Sequence, residues 1–334
     1  MNAPTTTPGI ILPPDSRKAR LGVLINLRSG RNRSGMETIE RILASRPEIV
    51  VRRTDHRRDV RAAMGDFAAA GIDVLAVSGG DGTLQRVLNI AVNDKPFPVL
   101  PLFAMLPGGT TNMIAYDIGT VRKRGDALAA LLRRIDSGAL AGGVVVRPLL
   151  RLEGGDTRYP RHGLFFGAAG VYEATTLNRR TVDAMGFRDD FGPGLRIAAV
   201  LGRLLIGRDP VQSVNMRLDI DGNVGTHSPY LAVFATTMDK LSLNMRPYWG
   251  EGDGPIRLTT IAQGARSIFR AAWPMLRGKR SALLTLERGF DSRNIAAMEL
   301  TFEGGSVLDG EFYFASHVTP LRLSVSGQIA FVSG

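Results

Sequence analysis

The stretch "VLAVSGGDGTLQRVLNIAV", residues 74–92, changes its hydrophobic period in the middle. Residues 74–77 are a short, β-branched apolar run closed by Ser78, Gly79 and Gly80, as in a strand buried on both faces. From Leu84 onward Leu84, Val87, Leu88, Ala91 and Val92 recur at helical spacing. Gly79, Gly80, Asp81, Gly82 and Thr83 are therefore expected between the carboxyl end of a strand and the amino end of a helix. Backbone N–H groups in a glycine-rich turn that opens a helix form a concavity for anions, which the helix dipole reinforces. Gly, Asp and Thr are also ordinary turn and cap residues. The segment alone leaves both readings open.

The same arrangement occurs twice more. "LGVLIN" (21–26) reads as a buried strand followed by "NLRSGRNRSG" (26–35), and "PVLPLFAMLPGG" leads into "TTNMIAYDIG". Helices are expected over 35–46, 58–70, 84–93 and 125–136, with another strand at "EIVVRRT". Strands alternating with helices imply an open, mostly parallel sheet, whose ligands collect beyond the carboxyl strand ends. Three glycine-rich segments at that one edge are harder to explain as turns than one.

Beyond about residue 146 short alternating runs split by Gly, Asp and Asn indicate an antiparallel β domain. They include "VQSVNMRLDIDGN", "YLAVFATT", "SALLTLERG", "AAMELTFEG" and "FYFASHV". Two helical insertions interrupt them, near 193–207 and 262–276. The expected organisation is a disordered leader over 1–18, an α/β domain over 19–146, and a β-rich domain over 147–334 whose last strand can return to the first domain.

The 334 residues carry 42 Lys and Arg against 31 Asp and Glu, a net charge of +11, so anionic partners are favoured. Cysteine is absent, which excludes disulfides and thiolate metal sites. The four histidines, His56, His162, His227 and His317, lack zinc-type spacing. No secretory signal and no apolar run long enough to span a bilayer is visible, which points to a cytoplasmic protein that can rest on the inner face of a membrane. "LRIAAVLGRLLIGR" (195–208) and "ARSIFRAAWPMLRGKR" (265–280) mix Leu, Ile, Phe and Trp with arginines and almost no acid. Such segments suit either packing on the β domain or contact with an anionic membrane surface. The five arginines of 52–61 lack interleaved aromatics, so no nucleic-acid partner is expected.

Taken together, "NLRSG" (26–30), "SGGDGT" (78–83), "LPGGTTNM" (106–113) and the late "LDGEFY" (308–313) resemble the diacylglycerol kinase catalytic-domain family. That family includes bacterial lipid kinases and sphingosine kinases and is a structural relative of NAD kinases. The resemblance implies a two-domain fold, α/β then an antiparallel β-sandwich, and an enzyme that uses ATP and Mg²⁺ to phosphorylate the hydroxyl of diacylglycerol or a related lipid alcohol. It also allows a homodimer. Carried over by position, Gly79, Gly80, Asp81, Gly82 and Thr83 match the nucleotide phosphate loop, with Asp81 a candidate magnesium ligand. Asn26, Ser29 and Gly30 match the first nucleotide loop, Thr54 a nucleotide-contacting threonine, and Gly108, Gly109 and Thr110 the second glycine element. Asp309 matches the general base for the lipid hydroxyl, with Glu311 supporting it; placed on one strand, the two would share a face. Leu27, Arg86 and Met113 stand where the family usually has proline, glutamate and aspartate. The alternatives are an NAD kinase and a non-catalytic relative that binds a nucleotide or an anionic lipid.

Overall fold

The computed structural model describes residues 15–29, 36–109, 112–120, 123–173, 175–176 and 212–333. The expected helix near 193–207, Gly30, Thr110 and most of the leader lie outside the described residues. The chain divides into two compact units, one of residues 1–147 with 328–334 and one of residues 148–327.

The first unit is built on a parallel sheet. Strands β1 (Leu21–Asn26), β2 (Val50–Thr54), β3 (Val74–Gly79) and β4 (Leu102–Pro107) stand in the order β2-β1-β3-β4. The end of the chain's last strand closes the far edge, with Phe331 paired in parallel to Phe103. β3 is buried throughout, as its unbroken apolar run requires of a strand covered on both faces. One face is covered by α1 (Met36–Ala44) and α5 (Arg124–Asp136), whose Ile39, Leu43, Leu128 and Leu131 pack with Val23, Ile25, Ala76 and Leu106. On the other, α2 (Asp59–Ala69) brings the Phe67 ring so close to Gly22 that a Cβ there would lie 2.8 Å from it. α3 (Asp81–Asn93) packs beside α2, and α4 (Met113–Asp117) follows β4. Because β1 is followed by β2 on one side and by β3 on the other, strand order reverses between β1 and β3. The crevice beyond their carboxyl ends is where sheets of this kind hold ligands.

The second unit is antiparallel. Its strands are β5 (Val144–Gly154, from residue 148), β6 (Arg161–Gly163), β7 (Phe165–Ala169), β8 (Val214–Ile220), β9 (His227–Thr236), β10 (Ile256–Ala262), β11 (Phe290–Ile295), β12 (Met298–Thr301), β13 (Gly304–Leu308), β14 (Glu311–Ala315) and β15 (Leu321–Val332, to residue 327). β9 serves two runs: residues 227–230 pair with β8, and residues 232–236 pair with β7. One run continues through β13 and β14, the other through β12 and β15, and β10 and β11 extend the outer half of β9. The strands enclose a core containing Leu150, Phe166, Met216, Leu258, Leu300 and Leu323.

"SALLTLERG" is not a strand. It belongs to the excursion between β10 and β11, where only a short 3-10 turn at Leu286–Arg288 forms and Leu284 is buried against α6 (Ile268–Leu276). Leu283 and Leu284 pack on the core from outside the sheet, so their spacing imitates a strand without a partner to pair with. Among the described residues, no helix is long and apolar enough to cross a membrane.

Candidate active site

The 78–83 segment is tighter than its spacing suggested. β3 runs to Gly79 and α3 begins at Asp81, which leaves Gly80 as the sole connector. Asp81, Gly82 and Thr83 are thus the first turn of the helix, invisible to an apolar period because none of the three carries an apolar side chain, although Asp81 and Thr83 are buried. Gly80 accepts from the amides of Thr83 (2.9 Å) and Leu84 (3.2 Å). A thirteen-residue helix then directs its positive end towards the crevice between β1 and β3.

Three loops interlock at this edge. Asn26 Nδ2 donates to Thr83 Oγ1 at 2.8 Å, joining the end of β1 to the first turn of α3. The Ser29 hydroxyl donates to the Gly108 carbonyl at 2.9 Å, joining the first loop to the loop after β4. Gly108 N donates to the Gly79 carbonyl at 3.0 Å. Gly80 and Gly109 lie back to back: a Cβ on Gly109 would sit 2.4 Å from Gly80 Cα, and one on Gly80 2.9 Å from Gly109 Cα. Both glycines are required by this close approach, because the obstruction in each case is backbone and cannot swing aside. Thr54 ends β2 at the same edge, buried, with its carbonyl accepting from Leu27 N at 3.0 Å and its hydroxyl 3.4 Å from the Ile25 carbonyl. The structure therefore gathers Asn26, Ser29, Thr54, Gly79, Gly80, Asp81, Gly82, Thr83, Gly108 and Gly109 at one end of one sheet.

Asp81 takes a different place from the one expected of a metal ligand. Its carboxylate reaches across to α4, where Oδ2 accepts from Met113 N at 2.9 Å and Oδ1 from Ile114 N at 3.2 Å. The first amides of a helix have no partner within it, and Asp81 supplies two of those of α4. Burial pushes its carboxyl up from the ordinary range, and the two amide bonds oppose that rise. Among the described residues, no group of three or more His, Asp or Glu side chains is placed to hold a metal ion. With both Asp81 oxygens on amides, and arginine and methionine at positions 86 and 113, the residues present do not fit a magnesium site built by the protein.

Two residues that sequence reasoning missed complete the edge. Asn112, at φ 46°, accepts from Gly109 N and donates to the Gly109 carbonyl, both at 2.8 Å, and so closes the 109–112 loop on itself. Asparagine is among the few residues that adopt this left-handed backbone readily. Arg124, first residue of α5, is buried, and its guanidinium lies so near Gly108 that any Cβ there would overlap it. Burial pushes its pKa down. Its position just before an amphipathic helix gave no sign of this; the cause is the missing side chain at Gly108.

In the second unit, Asp309 and Gly310 are the two turn residues of the β13–β14 hairpin, both at positive φ (46° and 86°), with Leu308 paired to Glu311. Asp-Gly is the pair that such a two-residue turn favours. Asp309 and Glu311 are therefore not neighbours on one strand, and the alternation expected of them does not apply. Nor is the turn solvated at Asp309, which is only 3% exposed. Its Oδ2 accepts from Leu164 N and its Oδ1 from Phe165 N, both at 2.9 Å, while its own N–H donates to the Phe165 carbonyl. Glu311 is half-buried at the start of β14.

His162 precedes this clamp by two residues, with Nδ1 3.1 Å from the Ser326 hydroxyl. Burial first, and Arg151 second, push its pKa down to about 4 from 6.5. As pH falls below 6.5 the unfolded chain takes up a proton that the folded chain refuses until about 4, so stability is full above that window and is lost on descending through it. The loss is at most about 3 kcal/mol. Urea midpoints measured at about pH 7.5 and about pH 5 are expected to diverge in the wild type and to converge in His162→Gln.

Residues 20–140 match the family model of the diacylglycerol kinase catalytic domain, which bears out over that stretch the resemblance carried by "NLRSG", "SGGDGT" and "LPGGTTNM". No curated protein matches the chain. Among solved structures, a diacylglycerol kinase from Bacillus anthracis str. Sterne is 14% identical with a TM-score of 0.61, over 94% of this chain and 97% of that one. An NAD kinase from Archaeoglobus fulgidus in complex with ATP is 11% identical with a TM-score of 0.47, over 93% of each chain. A yeast NADH kinase complexed with NADH is 12% identical with a TM-score of 0.48, over 97% of this chain and 88% of that one. The likeness to the Bacillus structure is one of fold.

Proposed function

We propose that this chain, whose residues 20–140 match the diacylglycerol kinase catalytic domain, is an ATP-dependent lipid kinase that phosphorylates the hydroxyl of diacylglycerol or a related membrane lipid alcohol. The observation that carries the reading is the interlocked edge of the first unit, where three loops and a helix N-terminus meet at the strand-order reversal. An anion there is met by backbone amides rather than side chains, because Gly79, Gly80, Gly108 and Gly109 keep the approach open. On this reading the triphosphate lies along α3 and the 108–109 loop, with Asn26, Ser29, Thr54 and Thr83 setting the loops that receive the nucleotide. Asp81 is then a positioning residue, holding the α3 and α4 turns together.

Phosphoryl transfer asks the protein mainly for positioning and charge stabilisation. The acceptor oxygen forms its bond to the γ-phosphorus as the bond to the bridging oxygen of ADP breaks, and the hydroxyl proton passes to a carboxylate. We assign that proton to Asp309, with Glu311 beside it. Support comes from the place of Asp309 in "LDGEFY" (308–313), which resembles the late element of the diacylglycerol kinase catalytic-domain family, and from the fixed position its carboxylate takes on the amides of Leu164 and Phe165.

The test is purified protein with total membrane lipid extract, γ-labelled ATP and magnesium chloride, run beside a reaction containing NAD. Label in a lipid that co-migrates with a phosphorylated diacylglycerol or sphingoid base is the expected result. Label in NADP with none in lipid would overturn the acceptor class. ATP binding without transfer to any lipid would make the chain a non-catalytic relative.

A further inference from the structure

The excursion of residues 263–289 between β10 and β11 is absorbed by nothing above. It carries Arg266, Arg270, Arg277, Lys279, Arg280 and Arg288 against a single acid, Glu287. Arg266 N bonds the Arg288 carbonyl at 3.0 Å, so the excursion is closed at its base. Its helix α6 is anchored from beneath: Ala271 and Met275 are fully buried with Ile261, Leu284 and Phe290. A helix anchored in this way ordinarily presents polar residues outward. α6 instead presents Phe269, 63% exposed, and Trp273, 67% exposed, four residues apart on one face. Leu286, 73% exposed, adds a third apolar side chain from the same excursion. The Arg277 guanidinium stacks over the Trp273 ring, 4.5 Å from its centroid. Arg266, Arg270 and Lys279 are exposed around the pair, and Arg280 is paired with Glu251.

We propose that the outer face of α6, Phe269 and Trp273 framed by Arg266, Arg270, Arg277 and Lys279, is a docking surface for an anionic lipid bilayer. Phe and Trp leave water most favourably at the boundary between headgroups and acyl chains, where an indole keeps its N–H wet. A guanidinium stacked on that indole is held at headgroup depth, where its charge meets lipid phosphate. The sign of the charge selects an anionic surface, and the two protruding rings select a bilayer they can enter over a rigid acidic protein they cannot. The surface binds without nucleotide or phosphoryl transfer, so it stands or falls apart from the kinase reading.

The experiment is co-sedimentation of the full chain with vesicles of phosphatidylcholine alone, or with roughly one part in three phosphatidylglycerol. Binding is expected only to the anionic vesicles and to weaken as salt rises. In a Trp249→Phe background, which leaves Trp273 as the sole indole, emission should shift to the blue on binding. The double variant Phe269→Ser with Trp273→Ser should keep the wild-type melting temperature and lose binding by about tenfold or more. Arg270→Ala with Arg277→Ala should lose about 25-fold, roughly fivefold for each charge near the surface. Equal binding to neutral and anionic vesicles would overturn the proposal, as would undiminished binding by the serine variant. So would a dimer in solution that the serine variant dissolves, which would make the face a contact between copies, or oligonucleotide binding that anionic vesicles fail to displace.

Discussion

Asp309→Asn is expected to reduce lipid phosphorylation by roughly two to four orders of magnitude, the span typical of removing a general base, while the protein remains folded. Asparagine accepts the left-handed φ of 46° at this turn, and its side-chain oxygen can keep one of the two amide bonds from Leu164 and Phe165. The cost to stability should be about 1–3 kcal/mol, that of one buried amide left unsatisfied. Asp309→Ala loses both bonds and is expected to cost more. Kinetics separate proton transfer from clamping. If Asp309 receives the proton, Asp309→Asn loses kcat with the KM for ATP little changed. If it only clamps the hairpin, Asp309→Asn turns over within a fewfold of wild type and Asp309→Ala fails through instability. The second outcome would remove the general-base assignment and leave the nucleotide edge untouched.

Asp81→Ala is expected to abolish transfer and to destabilise the protein by about 2–5 kcal/mol, since the amides of Met113 and Ile114 would both be left buried without an acceptor. Asp81→Asn, retaining one acceptor, should fall between. The readout that distinguishes positioning from metal binding is magnesium concentration. A weakened metal ligand is rescued by more metal, whereas a loosened junction between α3 and α4 is not. We expect no rescue, together with a raised KM for ATP, because the loops that receive the nucleotide lose their common anchor. Recovery of Asp81→Asn at high magnesium would reverse this reading.

What the sequence disclosed about this edge was what backbone chemistry decides locally. A strand, a glycine-bearing segment and then a helix recur three times, and each leaves its mark in a few adjacent residues. The partners of Asp81 left none, because they are amides some thirty residues away whose approach depends on how two loops pack. Arg124 was equally hidden. An arginine ahead of an amphipathic helix looks like a surface cation until Gly108, sixteen positions earlier, is seen to leave it room. At the β13–β14 hairpin, "DG" announced a turn correctly, yet the burial of Asp309 is set by Leu164 and Phe165, far off in the chain. In each case the local conformation was legible and the long-range partner was not.

The last strand also bears on how the chain is made. Residues 328–332 complete the first unit by pairing beside β4, so that unit is interrupted in the gene by everything from Pro148 to Gly327. At ribosomal rates the intervening segment takes on the order of ten to forty seconds to emerge. Throughout that interval the hydrogen-bonding edge of β4 has no neighbour on its outer side, and an unpaired edge is an invitation to foreign strands. A gene cut after residue 147 would make that exposure permanent. An excised first unit should therefore aggregate unless the closing strand is supplied, by fusion to its end or as a peptide added in trans.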